Sequence, residues 1–190
     1  MKRLLIVCAA LFAMTPAVKG QQSYRPTGWG MGSWQAIGAT GTPDESSGAR
    51  ILLQNNGWAE IRPEISKASV KLRYNIPPVD GLKGFPDEEY SGYELRVHAR
   101  DNGAAARVIV TVKAMHWGDG GIRTLVQLDS DSFEPGTDIF WGGGFLRDET
   151  GVMKYFRPFH NAYWAEVQLI KTAREGRPGI QALGILVEDP

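Results

Sequence analysis

The sequence predicts an all-β protein: an antiparallel β-sandwich, jelly-roll-like, of eight or nine strands, forming one domain over residues 21–190 behind a cleavable signal peptide at residues 1–20. Three observations predict it. Segments rich in β-branched residues alternate apolar and polar side chains with period two. Turn signals such as Asn-Asn-Gly, Asp-Asn-Gly and Gly-Asp-Gly-Gly separate these segments at short spacing. No window longer than about ten residues keeps the 3.6-residue period of an amphipathic helix. Short strands with one apolar face must press those faces together, and two packed sheets are the simplest way to do so.

The chain opens with Lys2 and Arg3, an unbroken apolar run over residues 4–14, and then Thr15, Pro16, Ala17, Val18, Lys19 and Gly20. This is the layout of a secretory signal: a positive start, an apolar stretch and small residues for cleavage. A run of 11 residues is too short to span a hydrocarbon core of about 30 Å. Cys8 stands inside the run rather than behind it, which is not the place of a lipid-modified cysteine. Cleavage before Gln21 or before Val18 leaves the same domain, and the protein is expected to be exported to a periplasmic or extracellular space.

Removing residues 1–20 takes away Lys2, Arg3 and Lys19 and no acid, so 18 cations face 21 acids and the net charge of zero becomes −3. It also removes the single cysteine. A disulfide framework, a thiolate metal site and a cysteine nucleophile are therefore excluded from the exported chain, and no membrane span is expected. A nucleic-acid partner is not expected either, because phosphate binding needs a strongly basic footprint.

The strands follow in order. Residues 33–38 are a first candidate; 49–54, 58–62 and 69–76 are three more, joined by Asn55-Asn56-Gly57 and a stretch around Pro63. In 93–100, Leu95, Val97 and Ala99 alternate with Glu94, Arg96, His98 and Arg100. Asp101-Asn102-Gly103 then suggests a tight hairpin into 106–117, where Val108, Val110, Val112 and Ala114 share one face. Gly118 to Gly121 turns the chain into 122–128. Residues 163–169 and 180–187 close the chain as a similar pair around the turn at 174–179. Between them, residues 133–164 hold nine aromatics around Gly142-Gly143-Gly144 and read as a long connection, either folded over the sandwich end as a plug or displaying rings to a ligand.

Four groups of residues carry possible chemistry. The polar sides of the strands are basic, with Lys71, Arg73, Arg96, His98, Arg100, Arg107, Lys113 and Arg123, whereas acids gather in turns. In one sheet these cations would make a face for an anionic ligand such as an acidic polysaccharide, Arg being the bidentate donor; solvated outer faces are the plainer reading. Trp117 and Trp141 each adjoin a glycine turn, and their flat rings suit the C–H patches of a sugar. Trp117, Trp141, Arg96, His98 and Arg100 are therefore the expected ligand-binding residues. Asp129, Asp131 and Glu134 alternate in a loop as calcium ligands do, although the EF-hand pattern fails at Phe133 and solvated turn acids are the default. No other cofactor is expected.

His98, with Tyr93 or Tyr90 as acid, would fit a polysaccharide lyase, and paired carboxylates across strands a glycoside hydrolase, yet no nucleophile or metalloprotease motif is present. The reading that follows is an exported, non-catalytic binding module for an envelope or extracellular glycan, acidic if the basic faces serve it. The alternatives are an accessory subunit docking on a larger envelope assembly through the aromatic segment and, third, a lyase or hydrolase.

Overall fold

The computed structural model describes residues 34–77, 92–133, 140–149, 151–153, 156–157 and 159–188. The signal segment lies outside them. Among the described residues no helix is long and apolar enough to cross a membrane, and the architecture is all-β: β1 (Trp34–Ile37), β2 (Thr42–Pro43), β3 (Ile51–Leu53), β4 (Ala59–Ile61), β5 (Ala68–Ile76), β6 (Gly92–Arg100), β7 (Ala106–His116), β8 (Ile122–Asp129), β9 (Phe140–Phe145), β10 (Arg147–Asp148), β11 (Gly151–Val152), β12 (Asn161–Lys171) and β13 (Gly179–Glu188). Sheet A has the order β3-β4-β13-β6-β9, with β1 also on β13; sheet B has the order β2-β5-β12-β7-β8; β10 and β11 form a separate ribbon. All pairings are antiparallel.

From β4 onward the main strands pass between the sheets in the jelly-roll manner: β4 in A, β5 in B, β6 in A, β7 and β8 in B, β9 in A, β12 in B and β13 in A. Period-two patterning supplies the core. Val70, Leu72, Tyr74 and Ile76 of β5, Val108 to Ala114 at alternate positions of β7, and Tyr163, Ala165, Val167 and Leu169 of β12 face Tyr93, Leu95, Val97 and Ala99 of β6 and Ile180, Leu183 and Ile185 of β13. Each such side chain removed from water contributes about 1.5–3 kcal/mol, Ala less.

Two expected hairpins are instead crossings between sheets. Strands β6 and β7 do not pair, nor do β12 and β13. Alternation fixes which side of a strand is buried but not which strand lies beside it, so parity was compatible with both arrangements. The two crossings are fastened to each other at one end of the sandwich. Gly103, at φ 110°, lets the chain leave β6. The Asn102 side chain donates to the Glu175 carbonyl (2.8 Å) and accepts from the Arg177 amide (2.5 Å). The Thr172 amide donates to the Ala105 carbonyl at 2.9 Å. Neighbouring strands do pair at β3–β4, across Asn55-Asn56-Gly57, and at β7–β8, with a bulge near Val112 that tucks Leu125 into the core.

The aromatic segment 133–164 is no single connection, since it contains β9, β10, β11 and the start of β12. Phe156 is buried with its ring edge-on to Tyr93 (4.8 Å) and Tyr163 (4.7 Å), which closes the core at that end, whereas Phe159 is 91% exposed. β9 escaped detection because Gly142-Gly143-Gly144 interrupts its alternation.

The clamp between the crossings leads to a stability prediction. A Cβ on Gly176 would come within 2.1 Å of the Ala105 carbonyl oxygen, whereas one on Gly48 would meet nothing within 4 Å. Gly176→Ala is expected to lower unfolding free energy by about 1–3 kcal/mol in urea titration, and Gly48→Ala to leave it unchanged or slightly raised.

Candidate functional site

The outer face of sheet B carries the richest arrangement of ring and hydrogen-bonding side chains. Residues opposite one another in an antiparallel ladder share a face, so the register defines cross-strand rows. Asn75, Trp164, Lys113 and Thr124 form one row across β5, β12, β7 and β8. Arg73, Glu166, Thr111 and Gln127 form the next. On the other side of the Trp164 row lies an apolar one, Ala162, Met115 and Ile122, with Ile122 63% exposed. Beyond it Trp117, 59% exposed, continues the ladder by donating its amide to the His160 carbonyl at 2.8 Å. At about 3.3 Å per residue, Trp164 and the Trp117 level are about 13 Å apart along the strands.

Two features set this face apart. The indole Nε1 of Trp164 is buried with no hydrogen-bond acceptor among the described residues, a state that costs about 1–3 kcal/mol and that few buried donors tolerate. Glu166, only 14% exposed, stands among three cations: Lys113 Nζ donates to Oε1 at 3.2 Å, Lys71 Nζ lies 3.7 Å from Oε1, and Arg73 Nε lies 4.0 Å from Oε2. The last two distances are too long for hydrogen bonds.

The expected ligand-binding residues divide between two places. Trp117 belongs to the head of sheet B. Arg96, His98 and Arg100 project from the outer face of sheet A, where the register sets Trp141 opposite His98. Arg100 immediately precedes the crossing that leads into β7 and Trp117 follows its end, so the strand's 11 residues, about 35 Å, separate them. Around His98 and Arg100 the structure adds Trp58, whose ring lies 5.7 Å from the His98 ring and 5.0 Å from the Arg100 guanidinium carbon. Burial holds the His98 imidazole below its ordinary pKa.

Strand parity would make one cationic face only if the basic strands shared a sheet, and they do not. Lys71, Arg73, Arg107 and Lys113 stand on sheet B and Arg96, His98 and Arg100 on sheet A. Most of the arginines are paired: Arg96 with Glu94, Arg100 with Glu60, and Arg107 with Asp129 and Asp131. Tyr93 is also corrected as a partner for His98: it sits in the core, on the opposite face of β6. Tyr90 lies outside the described residues. Asp129 and Asp131 are engaged by the Arg107 guanidinium, whose Nε is 2.9 Å from Asp129 Oδ1 and 3.0 Å from Asp131 Oδ2, and Glu134 lies outside the described residues. Among the described residues no group of three or more His, Cys, Asp or Glu side chains is placed to hold a metal.

At the end of the sandwich beside Trp117 is a pocket of about 540 Å³, lined by His116, Asp119, Ile122, Arg123, Glu149 and His160 among others. Two contacts cross it, with His116 Nδ1 3.1 Å from Asp119 Oδ1 and Arg123 Nη1 3.0 Å from Glu149 Oε2. Hydrogen bonds from the Gly121 amide and then from His116 hold the Asp119 carboxyl below its ordinary pKa.

Trp164, Trp58 and Glu166 were not singled out from the sequence. Trp58 did carry a readable signal, since it follows a glycine turn as Trp117 precedes one. Glu166 looked like one more outward strand residue, and only the neighbouring strands reveal the cations around it.

No protein-family model and no curated protein matches the chain. Among solved structures it is similar to the xylan-binding module CBM15, with 11% identity and a TM-score of 0.48 over 83% of this chain and 97% of that one. It is also similar to TmCBM61 in complex with β-1,4-galactotriose, with 10% identity and a TM-score of 0.40 over 86% and 93%. A third is the family 11 carbohydrate-binding module from Clostridium thermocellum in complex with a β-1,3-1,4-mixed-linked tetrasaccharide, with 8% identity and a TM-score of 0.34 over 84% and 89%. Likeness this distant leaves function to be argued from the residues of this chain.

The Arg107 cluster generates a pH prediction. The hydrogen bond from Arg107 holds the Asp129 carboxyl below its ordinary value, so the pair's contribution is complete above the unfolded-state pKa, about 3.9, and is lost as pH falls through the lower folded value. Urea midpoints measured from pH 7 down to pH 2 should therefore fall below about pH 4, and Asp129→Asn should start lower at pH 7 and fall less steeply.

Proposed function

We propose that the protein is an exported, non-catalytic glycan-binding module whose ligand lies along the outer face of sheet B. The observation that carries this reading is the Trp164 indole, a ring in the middle of a sheet face with its N–H unmatched by any acceptor among the described residues. A saccharide supplies what that position lacks. Its hydroxyls accept and donate, and its C–H faces lie flat on an indole. Asn75, Thr124 and Gln127 in the same rows offer neutral hydrogen-bonding groups, and Ile122, Met115 and the exposed Trp117 extend the apolar platform toward the sandwich end. Binding asks Trp164 to move slightly, because its Nε1 is covered in the free protein. Export is supported by the signal-like layout of residues 1–20.

Docking on a larger envelope protein is the second reading, and the exposure of Trp117, Ile122 and Phe159 at one end favours it. The two readings part in affinity electrophoresis through gels loaded with soluble polysaccharides. Trp164→Ala and Trp117→Ala are each expected to weaken retardation by tenfold or more, of the order set by about 1.4 kcal/mol per lost stacking contact. Absence of retardation in every polysaccharide, with specific capture of an envelope protein lost in Phe159→Ala, would transfer the weight to docking.

A further inference from the structure

The charge on this face goes further than the presence of rings. Lys71, Arg73 and Lys113 surround the Glu166 carboxylate and the Asp44 carboxylate also acts on Lys71, which leaves one positive charge in excess at the centre of sheet B. Only Lys113 is hydrogen-bonded to Glu166. Lys71 and Arg73, 46% and 67% exposed, stand at 3.7 and 4.0 Å, beyond hydrogen-bond reach of it. The other cation low on the face, Arg107, is met by Asp129 and Asp131 and lies six residues along β7 from Lys113, about 20 Å away. The excess is therefore local, and it adjoins the Trp164 row: Asn75 and Arg73 are alternate outward residues of one strand, as are Trp164 and Glu166 of the next.

Sheet A differs: Arg96 and Arg100 stand close against Glu94 and Glu60. In the end pocket, Arg123 is likewise held by Glu149. A neutral sugar would need no excess of cations. An anionic one gains charge-assisted hydrogen bonds from Arg73 and Lys71, and Arg can meet a planar carboxylate with two of them.

We infer that the ligand is an acidic glycan, and that Lys71, Arg73 and Lys113 receive its carboxylate or sulfate while Trp164 stacks against the same or the adjacent sugar. The inference rests on the glycan-binding reading and adds the charge of the ligand to it. Glu166 has a specific part: it holds Lys113 in place and tempers the site, so that binding is selective for an anion beside a stacked ring rather than for any polyanion.

The test is isothermal titration of the full exported chain in calcium-free buffer with polygalacturonate as the carboxylate arm, chondroitin sulfate as the sulfate arm, and neutral xylan and galactan as the uncharged arm. One or both acidic polymers should bind at least tenfold more tightly than the neutral ones, and binding should weaken as salt rises toward about 0.15 M. Lys71→Gln with Arg73→Gln should lose about tenfold or more on the acidic polymers and little on neutral ones. Both positions are exposed and their ion pairs long, so the double variant is expected to fold, with an unchanged thermal midpoint as the check. Glu166→Gln should bind the acidic polymers several-fold more tightly and show a steeper salt dependence. Neutral glycans bound equally well, with the double variant indistinguishable from the parent, would overturn the acidic assignment and leave glycan binding standing. Failure of all four polymers to bind would overturn both.

Discussion

The outer faces of this protein are arranged by what happens between the sheets. The apolar sides of β5, β7 and β12 are pressed against those of β6 and β13, and the crossings that carry the chain from one sheet to the other are locked together by Asn102, Thr172 and the close approach of Gly176 to Ala105. Period-two geometry then leaves no choice about the remaining residues. Once Leu72, Val112 and Val167 are inside, Arg73, Lys113 and Glu166 are outside, and antiparallel pairing brings Arg73 opposite Glu166 with Lys113 diagonal to it.

That placement gives the two sheet faces different electrostatics from similar ingredients. On sheet A each of Arg96 and Arg100 has a carboxylate, and Trp58 is packed by Arg100 and His98, so ring and charge are already committed to one another. On sheet B the Glu166 carboxylate stands among three cations and, among the described residues, the central indole has no acceptor. A folded protein that satisfies its polar groups nearly everywhere leaves few such positions, and here an unmet donor and an excess of positive charge occupy adjacent rows of one face. The proposed ligand answers both.

Much of the fold was legible. Strands β4, β5, β6, β7, β8, β12 and β13 all lie within a residue or two of where alternation marks them, because residues with two different environments on their two sides must alternate. β9 was not legible, since three glycines erase the pattern, and neither was the absence of β6–β7 and β12–β13 hairpins, since Asp-Asn-Gly supports a tight turn and an arch equally well. Of the residues expected to bind a ligand, Trp117 lies at the head of the sheet B face, while Arg96, His98 and Arg100 share the other sheet. Trp164 was seen only as one aromatic among nine.

The sequence by itself determined the class of fold, most of the buried side chains of β5, β6, β7 and β12 and the basic character of the outward strand positions, because each depends on local alternation along one strand; in β8 the bulge overrode it, burying Leu125 and exposing Ile122. The tertiary structure decided how those cations are distributed and which of them are neutralised. Neighbouring strands on sheet B come from residues 75, 113, 124 and 164, and no local rule brings them together. Charge compensation is a property of distances across strands, and distances across strands are set by the jelly-roll connectivity rather than by the order of residues in the chain.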